Sequence, residues 1–87
     1  MSYRVHVKPA AVKEIASLPR HDQLRIGAKI DSLGETPRPA RCEKLAGASG
    51  LWRIRCGQYR IIYAIEDVAL VVAVLKVGNR KDVYRGL

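Results

Sequence analysis

Cysteine is scarce in this chain: Cys42 and Cys56 are its only two. Two thiols are too few for a disulfide framework, and they lack metal-ligand spacing. Cys56 falls on the apolar side of an alternating segment. The expectation is a reduced, cytoplasmic protein with at least one buried thiol. Long hydrophobic runs are also missing. None approaches the ~20 residues that a membrane-spanning helix needs, and the start, Met1-Ser2-Tyr3-Arg4, has no signal-peptide apolar region. No membrane contact is expected. Histidine is limited to His6 and His21. There is no HExxH, CxxC, GxxxxGK[ST] or GxSxG motif, which sets aside zinc hydrolases, phosphate-loop enzymes and serine hydrolases. A two-histidine acid–base ribonuclease is excluded too, because neither histidine lies near the most basic segment. Carboxylates number eight against sixteen lysines and arginines. They form no cluster that suggests a bound metal, so neither metal nor cofactor is expected. Glu66-Asp67 reads as a pair of solvated turn residues.

What is present is a chain of 87 residues, 48% apolar, which fits one globular domain spanning 1–87. A domain of this size buries about 60–65% of the surface its unfolded chain exposes, so its core must be one thin layer of helix against sheet. The net charge is +8, and it is uneven: residues 1–37 carry a net of +2 and residues 38–87 a net of +6. Such an excess favours a polyanionic partner, either nucleic acid or an acidic protein.

The basic half is organised around Leu51 to Tyr63, LWRIRCGQYRIIY. Trp52, Ile54 and Cys56 alternate with Arg53 and Arg55, the period of a strand with one buried face. Gly57-Gln58 fits a two-residue hairpin loop with Gly first, and Tyr59 to Ile65 reads as the returning strand. In that register Cys56 pairs with Tyr59, Arg55 faces Arg60, and Arg53 lies two residues along the same face. Like charges directly opposite each other repel, and such local conflicts concentrate at functional sites. The competing reading is three solvated arginines on an exposed face.

Around this hairpin, Tyr3-Arg4-Val5-His6-Val7 alternates as a first strand, with His6 facing solvent. Pro9 suits a helix start, Val12, Ile15 and Ala16 recur at helical spacing, and Pro19 ends that helix. A second helix starts at His21 or Asp22, with Asp22 as a candidate cap and Ile26, Ile30 and Leu33 as its buried stripe. Gly34 is placed to cap its C-terminus. Leu24 falls off the stripe. His21 reads as a helix-start residue. Glu35 to Ala40 is a connection, and Arg41 to Leu45 a candidate short strand. Val68 to Val77 reads as a strand buried on both faces and central in its sheet, with Ala73 near Arg60. The expected fold is α+β: an N-terminal strand, then an αα-hairpin packed on one face of a curved, mostly antiparallel four- or five-stranded sheet. The arginines would line the open face, since burying unpaired charge costs several kcal/mol. Arginine can bind a phosphodiester and stabilise charge that develops during in-line attack. Tyr84 could stack on a base or contact a ribose, or equally anchor the tail.

The chain also resembles the RelE-type toxins of the RelE/ParE superfamily, nearly end to end. The densest similarity is in Trp52-Arg53-Ile54-Arg55 with Gly57 and Tyr59-Arg60-Ile61-Ile62-Tyr63, and in Val77-Gly78 with Arg80 and Val83-Tyr84. Tyr3-Arg4-Val5, Pro37-Arg38-Pro39 and Lys44-Leu45 extend it. The resemblance implies a RelE-like fold and a ribosome-dependent endonuclease that cleaves messenger RNA in the ribosomal A site and is neutralised by a cognate antitoxin. A ribose 2′-hydroxyl would attack the adjacent phosphate. The implied catalytic residues are Arg55, Arg60, Arg80 and Tyr84. Arg53, Lys44, Lys81 and Arg85 would contact RNA phosphate or the ribosome. The alternative within the superfamily is a ParE-like poison of DNA gyrase that cuts no RNA. Well-studied nucleases of the family carry lysine where this chain has Arg53 and Arg55, and arginine is a poor general base. Ala46 also replaces a basic residue expected after Lys-Leu.

Overall fold

The computed structural model describes residues 2–47 and 50–79. Seven elements follow in order: β1 (Arg4–Val7), α1 (Pro9–Ala16), α2 (Arg20–Glu35), β2 (Glu43–Lys44), β3 (Leu51–Cys56), β4 (Tyr59–Glu66) and β5 (Val71–Asn79). The strands form one five-stranded sheet in the order β1-β5-β4-β3-β2. The β1–β5 pair is parallel and the other three pairs are antiparallel. The expected α+β architecture is present, with five strands and an interior β5.

The helices arise from local signals, with three departures from expectation. Pro9 opens α1 with its fixed φ. Ala11, not Val12, is the residue of α1 buried in the core, and Val12 is 51% exposed. An eight-residue helix offers only about two turns, so its short Ala11 allows close approach to the sheet while Val12 turns outward. Asp22 makes no capping bond; its carboxylate accepts the Tyr59 hydroxyl at 3.0 Å. Gly34 does not end α2 but lies within it, buried. A Cβ there would stand 3.1 Å from the Tyr3 carbonyl oxygen and 3.2 Å from a Val5 methyl. Glycine thus lets the last turn of α2 press on β1, where the Gly34 carbonyl accepts the Tyr3 amide at 2.7 Å. Gln23 ties the two helices together by donating to the Leu18 and Ala16 carbonyls.

The core lies between helices and sheet. Ile26, Ile30 and Leu33 of α2 meet Ile54, Ile61, Tyr63, Val72, Val74 and Val77. Tyr63 is fully buried and donates its hydroxyl to the Pro37 carbonyl at 2.8 Å; burial pushes its pKa well above the ordinary tyrosine value.

Two strand expectations change. Val68 does not start β5: it is 95% exposed on a turn, and the strand begins at Val71 after Leu70, whose φ is +56°. Ala73 consequently pairs with Ala64, while Gly78 pairs with Arg60. Leu75 is skipped in the ladder between Ile62 and Tyr63, a bulge that displaces the register further. The candidate strand Arg41 to Leu45 shrinks to Glu43–Lys44.

Asp67 is also more than a solvated turn residue. It accepts the Tyr3 hydroxyl at 2.7 Å and a two-pronged contact from Arg38 at 3.1 and 2.8 Å. The Arg38 guanidinium in turn lies 5.2 Å from the centre of the Trp52 ring. This cluster fixes the connection that leads into β2. The Arg38 and Tyr3 hydrogen bonds hold the Asp67 carboxyl at a pKa of about 2, below its ordinary 3.8. A lowered folded-state pKa contributes stability above the unfolded value, and that contribution is lost as pH falls from about 4 through about 2. Urea titrations from pH 5 to pH 2 should show this loss in the wild type, and a shallower pH dependence in Asp67→Asn. Equal slopes would refute the assignment.

Candidate functional site

The site grows from the β3–β4 hairpin. Gly57 turns the chain with φ of +62°, a conformation that favours glycine. The resulting register is Cys56 opposite Tyr59, Arg55 opposite Arg60, Ile54 opposite Ile61 and Arg53 opposite Ile62. In a two-residue hairpin the Arg55–Arg60 pair is the non-hydrogen-bonded kind, whose Cα atoms lie about 4.5 Å apart. Ile54, Cys56, Tyr59 and Ile61 are buried against the helices, which forces the arginines to the other side. That side is not wholly polar: Ile62 is fully buried there. Its cross-strand neighbours Arg53 and Lys76 carry aliphatic stems that can shield it.

Because β2 is only two residues long, β3 beyond Arg53 lacks a strand partner on its outer side. A cavity of about 610 Å³ opens there, lined by Lys29, Arg41, Glu43, Arg53, Arg55 and Arg60. Among the described residues, five cations thus face one carboxylate. The Arg53 Nε lies 3.3 Å from the Glu43 carboxylate, its neighbour across the β2–β3 ladder. Arg55 donates its Nε to the Gly57 carbonyl at 3.0 Å, which fixes the guanidinium over the turn and leaves its two terminal nitrogens for another acceptor. Guanidinium groups held in this way match the geometry of a tetrahedral oxyanion.

Of the residues picked out from sequence, Arg53, Arg55 and Arg60 are brought together. Lys44 is not: it pairs with Trp52, so alternation turns it to the face opposite Glu43 and Arg53. Arg80, Lys81, Tyr84 and Arg85 lie outside the described residues. Sequence reasoning missed Lys29, Arg41 and Glu43. Lys29 comes from α2, three residues after Ile26 and off the apolar stripe, and only the helix-to-hairpin packing brings it in. Glu43 could have been found had a β2–β3 register been assigned.

Comparison with known proteins places the chain. Residues 5–84 match the family model of the ParE toxin of type II parDE toxin–antitoxin systems. A RelE-like toxin protein of Escherichia coli is 31% identical, over 97% of this chain and 92% of its own. In the crystal structure of the archaeal RelE–RelB complex from Pyrococcus horikoshii, a chain 33% identical superposes with a TM-score of 0.82, covering 94% of this chain and 99% of that one. The intact Escherichia coli RelBE toxin–antitoxin complex contains a chain 28% identical with a TM-score of 0.78. The chain therefore belongs to the RelE/ParE superfamily of type II toxins. Within it, this is a RelE-type toxin.

The cross-strand arginine pair makes a stability prediction. Arg55→Gln removes like-charge repulsion worth about 0.2–1 kcal/mol. At low ionic strength its Tm should equal or exceed that of the wild type. Added inorganic phosphate should raise the wild-type Tm more than the variant's. A wild-type Tm indifferent to phosphate would count against an anion site.

Proposed function

We propose that this toxin is a ribosome-dependent messenger RNA endonuclease whose basic cavity grips the scissile phosphate. The observation that carries the reading is the set of five cations on one cavity at the hairpin. In the proposed reaction the ribose 2′-oxygen bonds to the adjacent phosphorus and the bond from phosphorus to the 5′-oxygen breaks. The products are a 2′,3′-cyclic phosphate and a 5′-hydroxyl. Arg55 and Arg60 stabilise the added negative charge on the phosphoryl oxygens. Arg53 and Arg41 hold the backbone in place. Arg80 and Tyr84 complete the site on the strength of the family resemblance, Arg80 as proton donor to the leaving 5′-oxygen and Tyr84 against the base or ribose.

Arginine cannot accept the 2′-hydroxyl proton at neutral pH. Among the described residues Glu43 is the one carboxylate lining the cavity, and it is the group there whose chemistry suits a general base. The partners in this reading are the ribosomal A site, the message, and an antitoxin encoded beside the toxin; the solved relatives in complex with RelB support the last.

The second reading is a toxin that binds DNA gyrase and breaks no RNA. It is favoured by the match to a ParE model and by arginine in place of lysine on β3. Programmed ribosomes incubated with the pure protein decide between them. The nuclease reading expects a discrete cut in the message with a cyclic phosphate end. It also expects a loss of about 10²–10³-fold in rate for Arg60→Ala and about 10²–10⁴-fold for Glu43→Gln. Intact messages together with inhibited supercoiling would overturn it.

A further inference from the structure

A second basic surface adjoins the first and adds Arg25, which the proposed reaction does not use. Arg25 and Lys29 stand one turn apart on α2, a spacing at which like charges destabilise a helix. Neither makes an ion pair with a carboxylate among the described residues. Arg25 is exposed, but its guanidinium leans toward the hairpin. It lies over the hairpin turn, so that a Cβ on Gly57 would sit 3.1–3.4 Å from its guanidinium atoms. Between α2 and the turn is a cavity of about 510 Å³ lined by Arg25, Lys29, Ser32, Arg55 and Gly57. Among the described residues no carboxylate lines it. Lys29, Arg55 and Gly57 also line the larger cavity, so the two share a wall at the Arg55 side chain.

A single strand of nucleic acid carries one negative charge per linkage, so a strand held at Arg55 must place its next phosphate near by. The open direction past Gly57 leads to Arg25. We propose that Arg25, with Lys29, forms a second phosphate subsite in the groove between α2 and the hairpin turn. It takes the backbone linkage that neighbours the one held in the main cavity. Glycine at position 57 then has two functions: it makes the turn, and it leaves room for the Arg25 guanidinium. The proposal rests on the reading of the main cavity as a phosphodiester site, but not on cleavage.

The test uses uncleavable 2′-deoxy ligands: a dinucleotide with one phosphodiester and a trinucleotide with two. Binding is followed by NMR titration at several salt concentrations. Wild-type protein should bind the trinucleotide more tightly, with a salt slope steeper by about 0.7. Arg25→Ala, a change on an exposed helix surface, should leave dinucleotide affinity unchanged. It should cost about tenfold on the trinucleotide and remove the extra slope. Equal trinucleotide binding by Arg25→Ala and wild type overturns the subsite, as does an equal loss on both ligands. So does a loss confined to an acidic partner protein, which would make the groove a protein interface. If neither ligand binds the wild type, the main cavity is not a phosphodiester site and the subsite falls with it. If Arg25 dependence is found while messages stay intact on ribosomes, the subsite stands and the nuclease reading fails separately.

Discussion

The register of the β3–β4 hairpin is the constraint on which the site depends. Arg55 opposite Arg60 costs at most about 1 kcal/mol as a like-charge pair. The other face of the same hairpin buries Ile54, Cys56, Tyr59 and Ile61, and full burial of one large apolar side chain contributes about 1.5–3 kcal/mol. The apolar face therefore decides the register, and the arginines must accept it. A slip of one residue would separate the two guanidinium groups but would turn the apolar set of one strand, Ile54 and Cys56 or Tyr59 and Ile61, to the charged side. The repulsion is held in place by packing, and an anion between the two guanidinium groups would relieve it.

The rest of the molecule supports that hairpin from two directions. On one side α2 packs its Ile26, Ile30 and Leu33 stripe into the core, and the positions flanking that stripe carry Arg25 and Lys29 to the turn. On the other, the Tyr3–Asp67–Arg38–Trp52 cluster pins the connection after α2, so that Arg41 and Glu43 arrive beside Arg53. Glu14 adds a third tie: its carboxylate accepts the Val77 amide at 2.9 Å and pairs with Lys76 at 3.6 Å. Val77 lies beyond the stretch of β5 that β1 covers, so Glu14 satisfies backbone that would otherwise be an open sheet edge. This ties down the end of β5 from which the chain runs on toward Arg80.

Much of this was legible in the sequence wherever the signal was local. The alternation in Leu51 to Cys56 and the Gly57 turn dictated the hairpin, including the Arg55–Arg60 pairing. The 26, 30, 33 spacing dictated the buried stripe of α2. What failed depended on contacts between distant segments. Gly34 looked like a helix stop because glycine usually is one at that position; it is a packing residue because β1 comes within reach of its backbone. Val68 looked like strand because its neighbours are apolar, but Asp67 is held by Tyr3 and Arg38, which keeps the chain in a turn until Leu70. The same limit applied to the site. Three arginines on one hairpin could be read from spacing, whereas Lys29 and Arg41 are near them only through tertiary packing.

The replacement of lysine by arginine on β3 changes how labour is divided in the cavity. Lysines crowded together can give up a proton, so binding and base can reside in one cluster. Arginines stay charged, which makes the cavity a stronger and more permanent anion trap but leaves proton removal to another group. In the proposed reaction Glu43 would take that part, its place opposite Arg53 being fixed by the short β2–β3 ladder. The Glu43–Arg53 contact at 3.3 Å then has a second consequence. In the proposed reaction a phosphate entering the cavity competes with Glu43 for Arg53, and a carboxylate released from that contact is free to turn toward the 2′-hydroxyl. Substrate binding would thereby position its own base, a role that the arginines of the hairpin cannot fill.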